Sequence, residues 1–276
     1  MPRLGDALVA EVCGTFLLVL FGTGVVATAV LTGAQVGLWQ VAAVWGFGVT
    51  IAIAATASVS GAHLNPAVTL AMATFRSGTF PPARALPYIG AQLLGAVLAG
   101  CVVFAVFSPF LDRFERAHQI VRGEAGSEAS AMVFGEYFPN PAVFPESTRE
   151  DGADRDLVSP LRAAGVEAFG TAVLVFVIFA LTDRCRVPVA GSMASLLIGF
   201  TVAVLISLFA PVTQAGWNPA RDFGPRLVAF AAGWGEVAIP GPHNGFWVYI
   251  LGPLAGGLAG GAVYDVTLGR TGTVEG

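Results

Sequence analysis

The chain has 276 residues, of which 55% are hydrophobic and only 12% are charged, and its mean hydropathy is +0.74. Soluble globular domains carry about 25% charged residues, so this composition excludes an ordinary soluble protein and indicates a membrane environment. The formal net charge of −4 and the absence of lysine argue against nucleic acid as a partner.

Six apolar segments are long enough to cross a bilayer, for which a helix needs about 20 mostly apolar residues. We place these spans at 7–31, 38–60, 84–110, 161–182, 191–211 and 245–269. Two shorter apolar stretches, 65–75 and 218–231, cannot cross, and each begins at an Asn-Pro-Ala (NPA) triplet. Half-length helices are tolerated at membrane depth where protein or a cavity shields their backbone. The predicted fold is therefore an all-α membrane protein with six transmembrane helices and two re-entrant half-helices.

The distribution of arginine predicts how the chain is oriented. An arrangement with both termini in the cytoplasm places six arginines in cytoplasmic segments: Arg3, Arg76, Arg84, Arg184, Arg186 and Arg270. The other side has a nearly uncharged first loop and a long acidic loop, 111–160, a distribution that fits the positive-inside rule. We expect this outer loop to fold over the mouth of the bundle, with a partly disordered linker as the alternative.

An internal repeat divides the single predicted domain, 1–276, into repeat one (1–110), the outer loop (111–160) and repeat two (161–276). AEVCGTFLLVLFG (10–22) is echoed by VEAFGTAVLVFVI (166–178), which brings Glu11 and Glu167 into register. WGFG (45–48) begins twenty residues before Asn65, and IGFT (198–201) begins twenty residues before Asn218. Because three spans per half is an odd number, the second copy enters the membrane inverted. Inverted repeats with broken helices place the functional site near the bilayer midplane.

The two NPA triplets have a physical explanation as helix starts. A proline at the first helical position loses no hydrogen bond, and an asparagine before it is a favoured N-cap. The triplets Asn65-Pro66-Ala67 and Asn218-Pro219-Ala220 therefore predict two half-helices that meet at their amino ends, with the two amides donating N–H groups into the space between them. Each helix start carries roughly half a positive charge, which repels cations.

At these residues the chain resembles the major intrinsic protein family, the aquaporins and aquaglyceroporins. SGAHLNPAVT, NPARDFGP, AGWG and the outer-loop HQIVRG followed by YFPNP are similar to the bacterial glycerol facilitators of that family. The resemblance implies a right-handed six-helix bundle in the bacterial inner membrane, assembled as a homotetramer with one pore per subunit. It implies no cofactor, metal or enzymatic activity. The resemblance also makes Asp222, directly after Arg221, a loop-supporting residue at the position that is usually taken to separate glycerol conductors from water-selective members.

The resemblance also assigns individual residues. It implies an outer constriction lined by Trp45, Ile206, Ala215 and Arg221, central donors at Asn65 and Asn218, loop-supporting carboxylates at Glu11 and Glu167, and a pore-facing carbonyl at His63. Ala215 stands where typical glycerol facilitators have a second aromatic residue, and Ile206 where they commonly have glycine. This set is similar to plant nodulin-like intrinsic proteins, which pass glycerol and small uncharged metalloid acids.

The predicted function is a passive channel for small uncharged solutes, chiefly glycerol and related polyols with some water, that excludes ions and protons. The alternatives are a channel for water, urea or neutral metalloid acids, and an ion-coupled secondary transporter, which would need titratable groups at the midplane. No G-x-S-x-G, H-E-x-x-H or P-loop motif indicates an enzyme. Beyond the solute, the expected partners are membrane lipid and further copies of the chain. Arg226 is expected to be a solvated or loop-bound charge.

Overall fold

The computed structural model describes residues 2–149, 151–183 and 190–269. Ten α-helices lie in this part of the chain: α1 Leu4–Thr32, α2 Leu38–Ser60, α3 Pro66–Phe75, α4 Ala85–His118, α5 Glu128–Ala131, α6 Pro160–Thr182, α7 Ala190–Thr213, α8 Pro219–Ala229, α9 Gly235–Ala238 and α10 Val248–Thr267. A π-helical segment, Phe230–Trp234, follows α8, and 3-10 turns lie at Pro82–Arg84, Pro145–Thr148 and Pro242–Trp247.

Six of these helices, α1, α2, α4, α6, α7 and α10, are long and apolar enough to cross a membrane. They match the six predicted spans in order, and α3 and α8 match the two predicted half-helices, so the predicted fold class is confirmed. The predicted cytoplasmic arginines Arg184, Arg186 and Arg270 lie outside the described residues.

The third span differs from its prediction at the carboxyl end. Helix α4 runs on to His118, eight residues beyond the predicted end at 110. Leu111 and Glu115, one helical turn apart, are buried, while Asp112 and Arg113 are exposed. The helix therefore remains amphipathic after its apolar stretch ends, and packing of one face against the outer loop stabilises the extra turns.

The helix pairings repeat between the two halves of the chain. Helix α1 packs against α2 and α4, and α6 packs against the corresponding α7 and α10. Each half-helix packs against a span of the other half, α3 against α10 and α8 against α4, while α2 contacts α7 across the middle. Small residues allow the close approaches: a Cβ at Gly260 of α10 would collide with the backbone of Ala172 in α6. The two halves are thus interlocked rather than side by side.

The outer loop is folded and packed. Met132, Val133, Phe134 and Tyr137 of the loop are buried in one apolar cluster, together with Trp234 from the segment after α8. The Trp234 indole donates to the Ser130 hydroxyl at 3.0 Å. A linker would expose such residues, so the structure supports the expectation that the loop folds onto the bundle.

Candidate functional site

Both half-helices begin as the triplets predict. Pro66 and Pro219 occupy the first turn, and the preceding asparagines are N-caps in extended conformation. The Asn65 side-chain oxygen accepts from the Ala67 N–H at 2.8 Å, and that of Asn218 accepts from the Ala220 N–H at 3.1 Å. Each cap satisfies an N–H group that the helix itself leaves without a partner.

The amino ends of the two half-helices are joined by reciprocal hydrogen bonds. The Asn65 amide Nδ2 donates to the Trp217 carbonyl at 2.8 Å, and the Asn218 Nδ2 donates to the Leu64 carbonyl at 2.8 Å. Since an amide nitrogen carries two hydrogens, each asparagine keeps a second N–H. The geometry thus refines the prediction: one N–H of each amide fixes the junction.

A buried carboxylate holds each loop that leads into a half-helix. Glu11 accepts from the backbone N–H groups of His63 at 2.9 Å and Leu64 at 2.8 Å, as well as from the Ser60 hydroxyl at 2.6 Å. The Gln92 amide also donates to Glu11, at 2.7 Å. The carboxylate therefore gathers donors that would otherwise be unsatisfied in an apolar interior.

Glu167 repeats this arrangement in the second half. It accepts from the N–H groups of Gly216 at 3.0 Å and Trp217 at 2.7 Å and from the Thr213 hydroxyl at 2.6 Å. Leu64 and Trp217, the residues before the two N-caps, both have left-handed backbones, with φ of 51° and 50°. Such conformations cost roughly 1–2 kcal/mol per non-glycine residue, and the carboxylate bonds offset that cost.

A continuous cavity of about 1260 Å³ runs past the junction. Asn65 and Asn218 line it. All four residues implied for the outer constriction also line it, and each is at least nine-tenths buried: Trp45, Ile206, Ala215 and Arg221. The Arg221 guanidinium carbon lies 4.6 Å from the centre of the Trp45 ring. The structure therefore brings these residues together around one passage.

Glu136, in the outer loop, is a site residue that the sequence reading missed. Its carboxylate Oε1 lies 3.0 Å from Nη2 of Arg221, and its side chain is fully buried. Its backbone N–H donates to Asp222 at 2.8 Å, and its carbonyl accepts from the Arg226 guanidinium. A signal exists in the sequence: Glu136 is a lone acid within the apolar run MVFGEYF.

Asp222 and Arg226, one turn apart on α8, form a buried ion pair. The Arg226 Nε lies 2.9 and 2.7 Å from the two carboxylate oxygens, and the side chains are 1% and 0% exposed. Arg226 also donates to the Ala238 carbonyl at 2.8 Å. Of the two expectations for Arg226, the loop-bound one is therefore correct and the solvated one is wrong. Asp222 accepts from the N–H of Glu136 and Arg226 donates to its carbonyl, so the pair fixes the backbone of this loop residue.

Several charges surround the Glu136 carboxyl. Burial raises its pKa well above the usual range, and the Arg221 guanidinium opposes that rise. Glu167 and Asp222 are close enough to raise the pKa further, while Arg226 lowers it. Burial and the neighbouring carboxylates therefore favour the neutral form of Glu136, and the two arginines favour the charged form.

His63 lies in the loop before the first half-helix. Its ring is buried between Phe80, at 4.5 Å between ring centres, and Tyr88, at 5.2 Å. The residue lines the cavity and its backbone N–H is held by Glu11. The pore-facing role implied for its carbonyl stays a prediction.

Comparison with known proteins places this geometry in a family. The family model "Major intrinsic protein" matches residues 2–264. The chain is 42% identical to a glycerol uptake facilitator protein of Pseudomonas aeruginosa, over 98% of this chain and 91% of the relative. It is 39% identical to the propanediol uptake facilitator of Citrobacter freundii, with 95% and 91% covered.

A likeness to a solved structure agrees with the fold. The aquaglyceroporin from Plasmodium falciparum superposes with a TM-score of 0.78, covering 98% of each chain at 23% sequence identity. With six helices able to span a membrane among the residues that the structure describes, the chain is a multi-pass membrane protein. It belongs to the major intrinsic protein family, whose members are channels and not enzymes.

Proposed function

We propose that this protein is a passive channel for small uncharged solutes, with glycerol and related polyols as its main substrates and some passage of water. One observation carries the proposal. The cavity passes the junction of two half-helices, and the groups offered there are the neutral amides of Asn65 and Asn218. The relatives named as glycerol and propanediol facilitators support the choice of polyols.

The outer constriction would recognise a polyol through two unlike surfaces. Arg221 supplies N–H donors for the solute hydroxyls, and the Trp45 ring supplies a flat apolar surface for its CH groups. Ile206 narrows the passage without polarity, and Ala215 leaves space beside the arginine. A hydrated ion would have to shed its water against apolar walls, and that desolvation is costly.

The junction would exclude cations and protons electrostatically. Two helix amino ends converge there, each with roughly half a positive charge, and Arg221 adds a full charge one turn away. The negative charges of Glu11 and Glu167 weaken this positive field only in part, because backbone N–H groups of the two loops are hydrogen-bonded to their carboxylates. An ion-coupled transporter, which would use titratable groups at the midplane, is correspondingly disfavoured.

The small side chain of Ala215 favours a broader solute range as the second candidate. Ala215 lines the cavity at the place where the resemblance leads one to expect an aromatic ring. The additional width would admit urea and neutral metalloid acids beside glycerol.

We further propose that the protein lies in the bacterial inner membrane as a homotetramer, with both termini in the cytoplasm. Large apolar side chains are exposed along the spans, among them Phe47, Leu98 and Leu251. These would contact lipid or neighbouring copies. Crosslinking in intact membranes followed by mass measurement tests the assembly, and an exposed tag at either terminus tests the orientation.

Stopped-flow light scattering on proteoliposomes tests the substrate. Separate gradients of glycerol, urea and boric acid measure three solute permeabilities. A gradient of an impermeant sugar measures the water permeability of the same preparation. We expect glycerol to equilibrate far faster than in protein-free liposomes. Equal glycerol rates in both would refute the proposed substrate, and rapid water passage alone would indicate a water channel.

A further inference from the structure

A second arginine lines the cavity far from the Trp45–Arg221 constriction. Arg76 is the C-cap residue of the half-helix α3, whose amino end lies at the junction. At 1.5 Å of rise per residue, the ten residues of α3 place Arg76 roughly 15 Å from that junction. Because the amino ends of α3 and α8 meet at the junction, α3 runs away from Arg221 towards the other mouth of the passage.

The Arg76 side chain is held in a fixed geometry. Its Nη2 lies 2.7 Å from Oδ1 of Asp265 and its Nη1 lies 3.0 Å from Oδ2, so the pair is bidentate. Nη1 also donates to the Phe75 carbonyl at 2.8 Å. The guanidinium carbon is 4.2 Å from the centre of the Phe179 ring. Asp265 and Phe179 line the same cavity.

This arrangement repeats that of Arg221 at the other mouth. Arg221 is likewise stacked on an aromatic ring, at 4.6 Å, and paired with a carboxylate, at 3.0 Å. The two arginines differ in exposure: the Arg221 side chain is 5% exposed and that of Arg76 is 28% exposed. The Arg76 cluster is therefore more accessible to a solute arriving from bulk water.

We propose that Arg76 and Asp265 form a second solute-binding station, which recognises polyhydroxylated solutes at the α3 end of the passage. The proposal rests on the proposed function as a polyol channel. Neighbouring hydroxyls of a polyol each donate and accept, so they match a guanidinium donor beside a carboxylate acceptor. Asp183, which accepts the Tyr264 hydroxyl at 2.7 Å, lines the same cavity.

The station would act on polyols more than on water. Apolar side chains line the cavity near the station, among them Met72, one turn before Arg76, and Ile178, next to Phe179. A polyol loses several water hydrogen bonds on entering that stretch, and an unreplaced bond is costly. Contacts with Arg76 and Asp265 replace part of the lost hydration at the entrance. A water molecule has fewer hydrogen bonds to lose than a polyol with several hydroxyl groups.

Two variants and one control test the station in proteoliposomes of the full-length protein. Arg76→Gln removes the charged donor, and Asp265→Asn removes the charged acceptor while keeping its size. The control is Arg149→Gln, in an exposed ion pair with Glu146 on the outer loop that does not line the cavity. We expect each station variant to lower glycerol permeability about fivefold, the effect of one hydrogen bond, and to leave water permeability near that of the wild-type protein.

The ratio of glycerol to water permeability separates this role from a structural one. A pair that only ties α3 to α10 would, when broken, lower the thermal unfolding midpoint and reduce both permeabilities together, or change neither. Either result in a folded variant overturns the proposal, as does an equal change in the control. If Arg76→Gln does not fold, Asp265→Asn decides. If the wild-type protein passes no glycerol, the proposed function and the station are both overturned. If the wild-type protein passes glycerol and the variants do so equally well, only the station is overturned.

Discussion

The buried pair of Asp222 and Arg226 gives a prediction whose size follows from the structure. Asp222→Asn keeps the shape of the side chain but removes its charge. Arg226, which is 1% exposed, then faces a neutral amide that accepts through one oxygen only, in place of the carboxylate contacts at 2.9 and 2.7 Å. Removal of one partner of a buried pair costs about 3–5 kcal/mol. For a chain of this length, that loss lowers the thermal midpoint by roughly 6–20 °C.

The assay is thermal unfolding of the purified protein in detergent, followed by tryptophan fluorescence and by the fraction that stays monodisperse. The matched control is Glu146→Gln, which breaks the exposed ion pair with Arg149 and should leave the midpoint unchanged. Because the one remaining amide oxygen must serve both Arg226 and the Glu136 N–H, the outer loop should loosen in the variant and become more sensitive to protease. Equal midpoints for Asp222→Asn and the control would refute the reasoning. If the variant instead keeps the wild-type midpoint but changes the ratio of glycerol to water permeability, Asp222 acts on the permeating solute.

Three further variants probe the outer constriction. Arg221→Val should still pass glycerol, but more slowly because the donors for its hydroxyls are lost, and should raise proton and cation leak, measured with a pH-sensitive dye inside the vesicles; an unchanged leak would remove Arg221 from the filter. Ala215→Phe should narrow the passage and lower urea permeability relative to glycerol in stopped-flow experiments, and an unaltered ratio would show that position 215 does not face the solute. Burial raises the pKa of Glu136, so the folded protein binds its proton at higher pH than the unfolded chain does. That contribution to stability is present at low pH and is lost as pH rises through the raised pKa. Glu136→Gln should flatten this part of the dependence of the thermal midpoint on pH, and an identical profile would contradict it.

The fold was largely predictable from the sequence because a membrane restricts the available choices. Apolar length alone identifies six spans, and a triplet that combines an N-cap asparagine with proline marks a helix start. The paired registers of Glu11 with Glu167 and of Asn65 with Asn218 then follow from the internal repeat. Local patterns of this kind do not depend on knowing the tertiary structure.

What the sequence could not supply arises from contacts between distant segments. Glu136 is 85 residues before Arg221 in the chain, and no periodic pattern links a loop acid to a pore arginine. The end of α4 was misplaced because residues 111–118 are stabilised by packing under the outer loop rather than by apolar length. The hydrogen bond from each asparagine amide across the junction was likewise not predictable, because its acceptor is a carbonyl of the opposite loop.

The central claim is that neutral solutes cross a junction of two helix amino ends without the help of an ion. The most direct test is glycerol equilibration into proteoliposomes that hold no ion gradient, with internal pH recorded in the same vesicles. The account predicts rapid equilibration, no response to ionophores, and no pH change beyond that of protein-free liposomes. Glycerol entry that stops when sodium and proton gradients are collapsed, or that carries protons with it, would contradict the claim.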